Sequence, residues 1–242
     1  MSGQKKLLGV IGGLGPLATT HFMELVISMT DAETDQENVD MIVYNFPSIP
    51  DRTGYILGSN LRSPLPGLLS VGNSLTRQGA EVIAIPCMTA HYFYEELKAA
   101  FPVDVIHGIQ ETANHLKEHG VTAAGIMATD GTLASNLFIR ELIDAGILPV
   151  LPSNDRQEDV MHLIYRNIKA GKSVEMDRFH AVAEELRSKG AQVIILGCTE
   201  LSLVKGEYPI GPGYLDCMEV LARQAVLRCG GKLKEEFRCL IS

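Results

Sequence analysis

One phrase in this chain occurs twice, and the repetition restricts the fold more than any other feature. Gln78–His91 reads QGAEVIAIPCMTAH and Lys189–Thr199 reads KGAQVIILGCT, which aligns Gly79 with Gly190, Ala80 with Ala191, Val82 with Val193, Ile83 with Ile194 and Cys87 with Cys198. A second repeated phrase lies upstream of each: Gly9–Thr19 (GVIGGLGPLAT) matches Gly125–Ser135 (GIMATDGTLAS) at Gly9/Gly125, Gly15/Gly131, Leu17/Leu133 and Ala18/Ala134. The spacing is nearly equal, 78 residues from Gly9 to Cys87 and 73 from Gly125 to Cys198. A duplicated supersecondary unit predicts two like halves related by a pseudo-twofold, each delivering one cysteine at the C-terminal end of a strand. Two equivalent thiols facing one another are what a reaction on both faces of one carbon requires.

Short apolar runs of strand character at 5–11, 41–46, 80–85, 103–106, 123–127, 149–151 and 192–196 alternate with helical stretches. Pro16 suits the first turn of a helix reaching Met29, and Gly120, Gly146 and Gly171 suit helix ends. Further helices are expected over 68–78, 89–100, 133–145, 155–170 and 178–189, with Arg52 in a loop and Lys169 in a last helical turn. This alternation predicts an α/β protein of two similar domains, with mostly parallel sheets flanked by helices and the active site in the cleft between them. The repeat puts one domain at 1–103 plus 208–242 and the other at 104–207, a C-terminal helix over 212–228 packing back on the first.

A formal net charge of −8 argues against nucleic acid or an anionic membrane as partner, while leaving room for a local basic site that takes an anionic small molecule. No apolar run reaches the ~18 residues of a membrane span. Lys5 and Lys6 precede the apolar Leu7–Ile11, but Gly9, Gly12, Gly13 and Gly15 interrupt a signal-peptide core, so the expected compartment is the cytoplasm. The five cysteines are odd in number and lack C-x-x-C spacing, which speaks for free thiols over a disulfide framework or a zinc site.

Cys87 and Cys198 each follow an apolar strand and precede a helix start, the ligand-binding edge of a parallel sheet, where a helix N-terminus favours thiolate. Taken singly, either cysteine reads equally well as a small buried hydrophobe; the matched pair favours chemistry. Thr89, Thr129, Thr132 and Thr199 offer hydroxyl donors, or simply helix caps. His91 lies four residues after Cys87, placed either to tune the thiol or to pack structurally. Glu200 follows Cys198 and Thr199 as a partner of the site or an anion at a helix start. Gly13–Ala18 also fits the G-x-G-x-x-A dinucleotide fingerprint, but the acid expected after the second strand is missing, since Met41–Phe46 runs into Pro47. A two-lobed, non-catalytic carboxylate-binding protein is the other alternative, and it leaves the paired thiols unexplained.

The phrases IGGLGPLAT, IPDRT (Ile49–Thr53), IPCMTAH, ATDGT (Ala128–Thr132), IKAGK (Ile168–Lys172) and GCTEL (Gly197–Leu201) resemble, in order, those of the aspartate/glutamate racemase family, on its aspartate racemase branch. The resemblance implies a small-molecule amino acid substrate, no pyridoxal phosphate or metal, and a homodimer. It implies that Cys87 and Cys198 exchange roles as base and acid, interconverting L- and D-aspartate and, by extension, glutamate; broad amino acid specificity is the alternative. Arg52 and Lys169 match the basic residues that grip the side-chain carboxylate, and Met88, Thr89, Thr129, Thr199 and Gly13 complete the implied substrate site. Two positions depart from the pattern. Glu200 stands where glutamate racemases carry histidine, and Met88 replaces an Asn whose amide would bond the substrate. A thioether bonds poorly, so the pocket is either broadened or Met88 packs apolar surface.

Overall fold

The computed structural model describes residues 5–241. The first sheet contains β1 (Leu8–Gly12), β2 (Met41–Asn45), β3 (Val82–Ala84) and β4 (Asp104–Val105); the second contains β5 (Ala123–Met127), β6 (Leu148–Val150), β7 (Val193–Leu196) and β8 (Tyr214–Asp216). Their orders, β2-β1-β3-β4 and β6-β5-β7-β8, are the same topology written twice, and every pairing within them is parallel. The register repeats as well: Gly9 pairs with Ile83, and its counterpart Gly125 with Ile194.

The repeated glycines have a steric cause. A Cβ on Gly9 would lie 2.8 Å from Ala80 Cβ and 3.2 Å from Leu75 Cβ; on Gly125 it would lie 3.2 Å from Ala191 Cβ and 3.1 Å from Leu186 Cβ. In both halves the helix before the second central strand crosses the first one closely enough to exclude a side chain. Gly79 and Gly190 end those helices in left-handed conformations, with φ of 95° and 98°.

Strand residues alternate between layers. Val10 and Val82 of the first sheet join Ala124, Ile126, Val193 and Ile195 of the second in one apolar cluster, whereas Ile11 and Ile83, or Ile194 and Leu196, face separate outer clusters. The helix Cys217–Arg228 packs on Pro16–Met29 and Gly108–Glu118.

Strand pairing moves both expected boundaries. The strand at 104–105 belongs to the first sheet through β3, not to the second half, and the stretch from Pro212 opens with β8, the fourth strand of the second sheet, before its helix begins at Cys217. Pro212 looked like a helix start, but the cap is Asp216, whose carboxylate accepts the Met218 N–H at 2.8 Å. Other helices differ locally. Leu133–Ala145 is split by Asn136 in a left-handed conformation into Asp130–Ala134 and Leu137–Asp144. Asn154–Met161 continues as a π-helical stretch, His162–Ile168, immediately before Lys169. Arg52 opens a short helix, Arg52–Ile56, capped by Asp51.

Candidate active site

In each sheet the chain leaves the central strand for one neighbour and returns for the other, so a crevice opens beyond the C-terminal ends of β1 and β3, and of β5 and β7. Cys87 and Cys198 occupy equivalent places there, each extended and each the residue before a helix: the 3-10 turn Met88–Phe93 and the α-helix Thr199–Glu207. Both thiols line a single narrow cavity together with Arg52, Met88, Thr89, Thr129, Lys169 and Thr199. It has room for about one water, less than an amino acid needs. Gly13 does not line it. Its N–H donates to Thr19 Oγ1 at 2.8 Å, and a Cβ there would come within 2.3 Å of Phe46 N, so this glycine serves a tight turn. A larger groove alongside, walled by Asp130, Gln157, His162 and Arg166, contains neither thiol; Tyr165 is the partition between the two.

Four hydroxyls tie the halves together. Thr89 meets Thr129 at 3.1 Å and Thr132 at 2.9 Å, Thr129 and Thr132 are 3.0 Å apart, and Thr53 donates to Thr129 at 3.2 Å. Thr129 is also the cap of Asp130–Ala134, accepting from Thr132 N–H, so capping and site-building coincide in one side chain. Tyr165 donates to Asp51 Oδ2 at 3.3 Å across the cleft, and burial pushes its phenol up to about 12, leaving it a donor.

The cations are held in place by the protein itself. Arg52 is buried, with Nη2 donating to Leu14 O at 2.7 Å and Nη1 to Pro50 O at 3.1 Å and Ile49 O at 3.4 Å, while its Nε has no partner among the described residues. Burial works against its charge, and the neighbouring Cys87 thiol and Asp51 more than offset it, raising its pKa. Lys169 forms an ion pair with Glu200 Oε1; burial opposes its charge, and Glu200 with Cys198 outweighs that, again raising the pKa. The other oxygen of Glu200 accepts from Cys198 Sγ at 2.9 Å. Burial, then the Glu200 charge, pushes the Cys198 thiol well above its usual range, with Lys169 pulling the other way.

His91 acts on the backbone. Its Nε2 accepts the Gly108 N–H at 3.0 Å, so Nδ1 carries the hydrogen and donates to Cys87 O at 3.1 Å. Burial lowers its pKa, keeping the ring neutral, and it positions the Cys87 strand end without touching the sulfur. Met88 is 1% exposed; its tail fills the space beside Gly108, where an added Cβ would come within 3.1 Å of the methionine Cε. Sequence reasoning missed Thr53, Asp51 and Tyr165, and left Glu200 without a defined contact. The adjacency of Asp51 and Thr53 to Arg52 was the available signal for two of them.

Comparison with known proteins bears on the family and the fold. The family described as Asp/Glu/Hydantoin racemase matches residues 11–225. The broad specificity amino-acid racemase RacX of Bacillus subtilis (strain 168) is 27% identical over 91% of this chain and 96% of its own. The aspartate racemase of Picrophilus torridus superposes with a TM-score of 0.84 at 30% identity, covering 97% of this chain and 99% of that one. The glutamate racemase of Francisella tularensis subsp. tularensis SCHU S4, solved with D-glutamate, shares the fold: TM-score 0.66 at 16% identity, over 93% of this chain and 81% of that one.

Proposed function

Because the chain belongs to the Asp/Glu/hydantoin racemase family and is therefore an amino acid racemase, we propose that it inverts the α-carbon of an acidic amino acid, aspartate first, by proton transfer between Cys87 and Cys198. One sulfur, as thiolate, removes the α-hydrogen as a proton; the electron pair left on carbon spreads into the substrate carboxylate. The other sulfur, as thiol, returns a proton to the opposite face. The observation that carries this reading is that two repeat-equivalent cysteines line one cavity from two sheets.

The developing negative charge needs donors aimed at it, since a thiolate alone is a weak base for such a carbon. The helix starts at Met88 and Thr199 place backbone N–H groups beside the thiols, and the threonine hydroxyls add others. Arg52, buried and with its Nε without a partner among the described residues, is the cation suited to a carboxylate.

A broader substrate range is the second reading, favoured by the Lys169–Glu200 pair. That pair cancels one of two cations expected to select a dicarboxylate, and Met88 adds no donor. A panel of L-amino acids in deuterium oxide, scored for α-deuteration and loss of optical rotation, separates the readings. Aspartate turning over at least about tenfold faster than alanine, a gap of roughly 1.4 kcal/mol, supports the first; equal rates support the second; no deuteration of any substrate rejects both and leaves a binding protein. We further propose a cytoplasmic homodimer, to be tested by light scattering and by fractionation of cells. No helix among the described residues is long and apolar enough to cross a membrane.

A further inference from the structure

The duplication aligns Cys87-Met88-Thr89 with Cys198-Thr199-Glu200, and the third member of each triplet reaches across to the other half. Thr89 bonds Thr129 and Thr132 in the turn after β5. Glu200 lies over the equivalent turn after β1, where a Cβ on Gly15 would be 3.4 Å from its Oε1. The backbone symmetry is kept and the chemistry is not: one thiol has a neutral hydroxyl beside it, the other a carboxylate. The charged and titratable groups around the thiols are few. Cys198 faces Glu200, Lys169 and the Tyr165 phenol, whereas Cys87 faces Arg52; the Lys169 charge acts on both sulfurs. What distinguishes the two environments is an anion on one side and a guanidinium on the other.

We propose that Glu200 is a catalytic residue that keeps Cys198 as the hydrogen-bearing thiol in the empty site, so that the protein meets its substrate with Cys87 as base and Cys198 as acid. The inference rests on the two-thiol reading above. The contact carries it: Cys198 Sγ is 2.9 Å from Glu200 Oε2, and the other carboxylate oxygen is held by Lys169. A sulfur that donates its hydrogen to a carboxylate is stabilised there, while a thiolate at the same distance repels it. The same buried surroundings raise the cost of that second anion. Turnover then proceeds as follows. Cys87 thiolate takes the α-proton, carbon takes the Cys198 proton, and the site is left with Cys87 as thiol and Cys198 as thiolate. The carboxylate drives return of a proton from solvent to Cys198 as Cys87 releases one, and the starting state is restored with protons in balance.

The test is peptide-resolved alkylation of the unliganded full-length protein with iodoacetamide from pH 6 to 10.5, read by mass spectrometry. The midpoint of each rate–pH curve reports ionisation of the thiol, independently of how easily the reagent reaches it. The wild-type midpoint for Cys198 is expected above that of an ordinary free thiol. Glu200→Gln, which still accepts from Lys169 but carries no charge, is expected to lower the Cys198 midpoint by about one unit or more, and Glu200→Asp to move it less. A wild-type Cys198 midpoint at or below that of an ordinary free thiol, or a Glu200→Gln variant whose Cys198 curve does not move, overturns the proposal. Should the glutamine variant not fold, the wild-type Cys198 midpoint and the aspartate variant still decide it. Wild-type α-deuteration in deuterium oxide keeps the two ideas apart: its absence rejects the racemisation reading whatever the alkylation shows, and its presence beside an unmoved Cys198 curve rejects only the role of Glu200.

Discussion

Gly131→Ala tests whether the closed cleft matters for turnover. Gly131 belongs to the second half, and a Cβ on it would lie 2.8 Å from the Thr53 Cα and 3.0 Å from the Thr53 Oγ1 of the first half. Carbon atoms rest at about 3.5–4.0 Å, so the Thr53 backbone must retreat by roughly 0.7–1.2 Å. That takes the Thr53 Oγ1 to Thr129 Oγ1 contact, now 3.2 Å, beyond hydrogen-bond range. Overpacking of about 1–3 kcal/mol and a lost bond of about 1 kcal/mol bear on the closed arrangement, and opening the cleft relieves them. The helical backbone at this position instead favours alanine by about 1 kcal/mol. The expected outcome is a Tm within about 3 °C of wild type and a kcat/KM lower by about 10- to 100-fold, measured by polarimetry and differential scanning calorimetry. The repeat-equivalent Gly15→Ala is the control. Its Cβ would be 3.4 Å from Glu200 Oε1 and 3.9 Å from Lys169 Nζ, ordinary distances to movable side chains, so its rate should stay within roughly twofold. Full activity in Gly131→Ala, or equal losses in both variants, would refute the reasoning.

Cys87→Ser and Cys198→Ser should each lower racemisation by about a thousandfold or more, with any residual α-deuteration confined to one enantiomer and opposite for the two variants; deuteration of both enantiomers by either variant speaks against two faces. Arg52→Ala should lower kcat/KM for aspartate at least about tenfold more than for alanine, given about 1.5–3 kcal/mol for a bond to a charged group; equal losses remove Arg52 from carboxylate binding. Met88→Asn exchanges a packed tail for a polar group beside Gly108 and should cost about 2 kcal/mol, roughly 4–8 °C in Tm, so an unchanged melting curve means that Met88 is not a packing residue. His115 is 2% exposed and its pKa is lowered to about 4, burial first and then the His119 and Arg223 charges. A lowered histidine pKa means that the unfolded chain binds the proton more readily, so stability is lost as pH falls from about 6.5 toward 4. Urea unfolding should show about 2 kcal/mol less stability at pH 5 than at pH 7.5 from this residue, a difference that His115→Gln should abolish.

The duplicated phrases were legible because each glycine and alanine in them answers a local steric demand. Gly9 and Gly125 exist where a helix crosses a strand too closely for a Cβ, and Gly79 and Gly190 where a helix ends left-handed, so the pattern survives in both copies. The ends of the sheets were not legible. β4 and β8 are two and three residues long, too short for a period, and which strand they join is a non-local choice that hydropathy does not record. The break at Asn136 had a local signal, since Asn is among the few non-glycine residues that adopt a left-handed conformation readily, whereas the composition of the π-helical stretch before Lys169 is that of an ordinary helix.

The amino-acid sequence by itself determined the doubled parallel architecture, the two strand-end cysteines and the residue types gathered around them, because those depend on contacts repeated within each half. Only the tertiary structure decided how the charges are shared. Lys169 lies thirty-one residues before Glu200 and Arg52 thirty-five before Cys87, and no local pattern reports that the first pair neutralise each other or that Arg52 is anchored on three backbone carbonyls. Electrostatic partners are set by distance in space and by burial, and both come into being only when the two sheets close on one cavity.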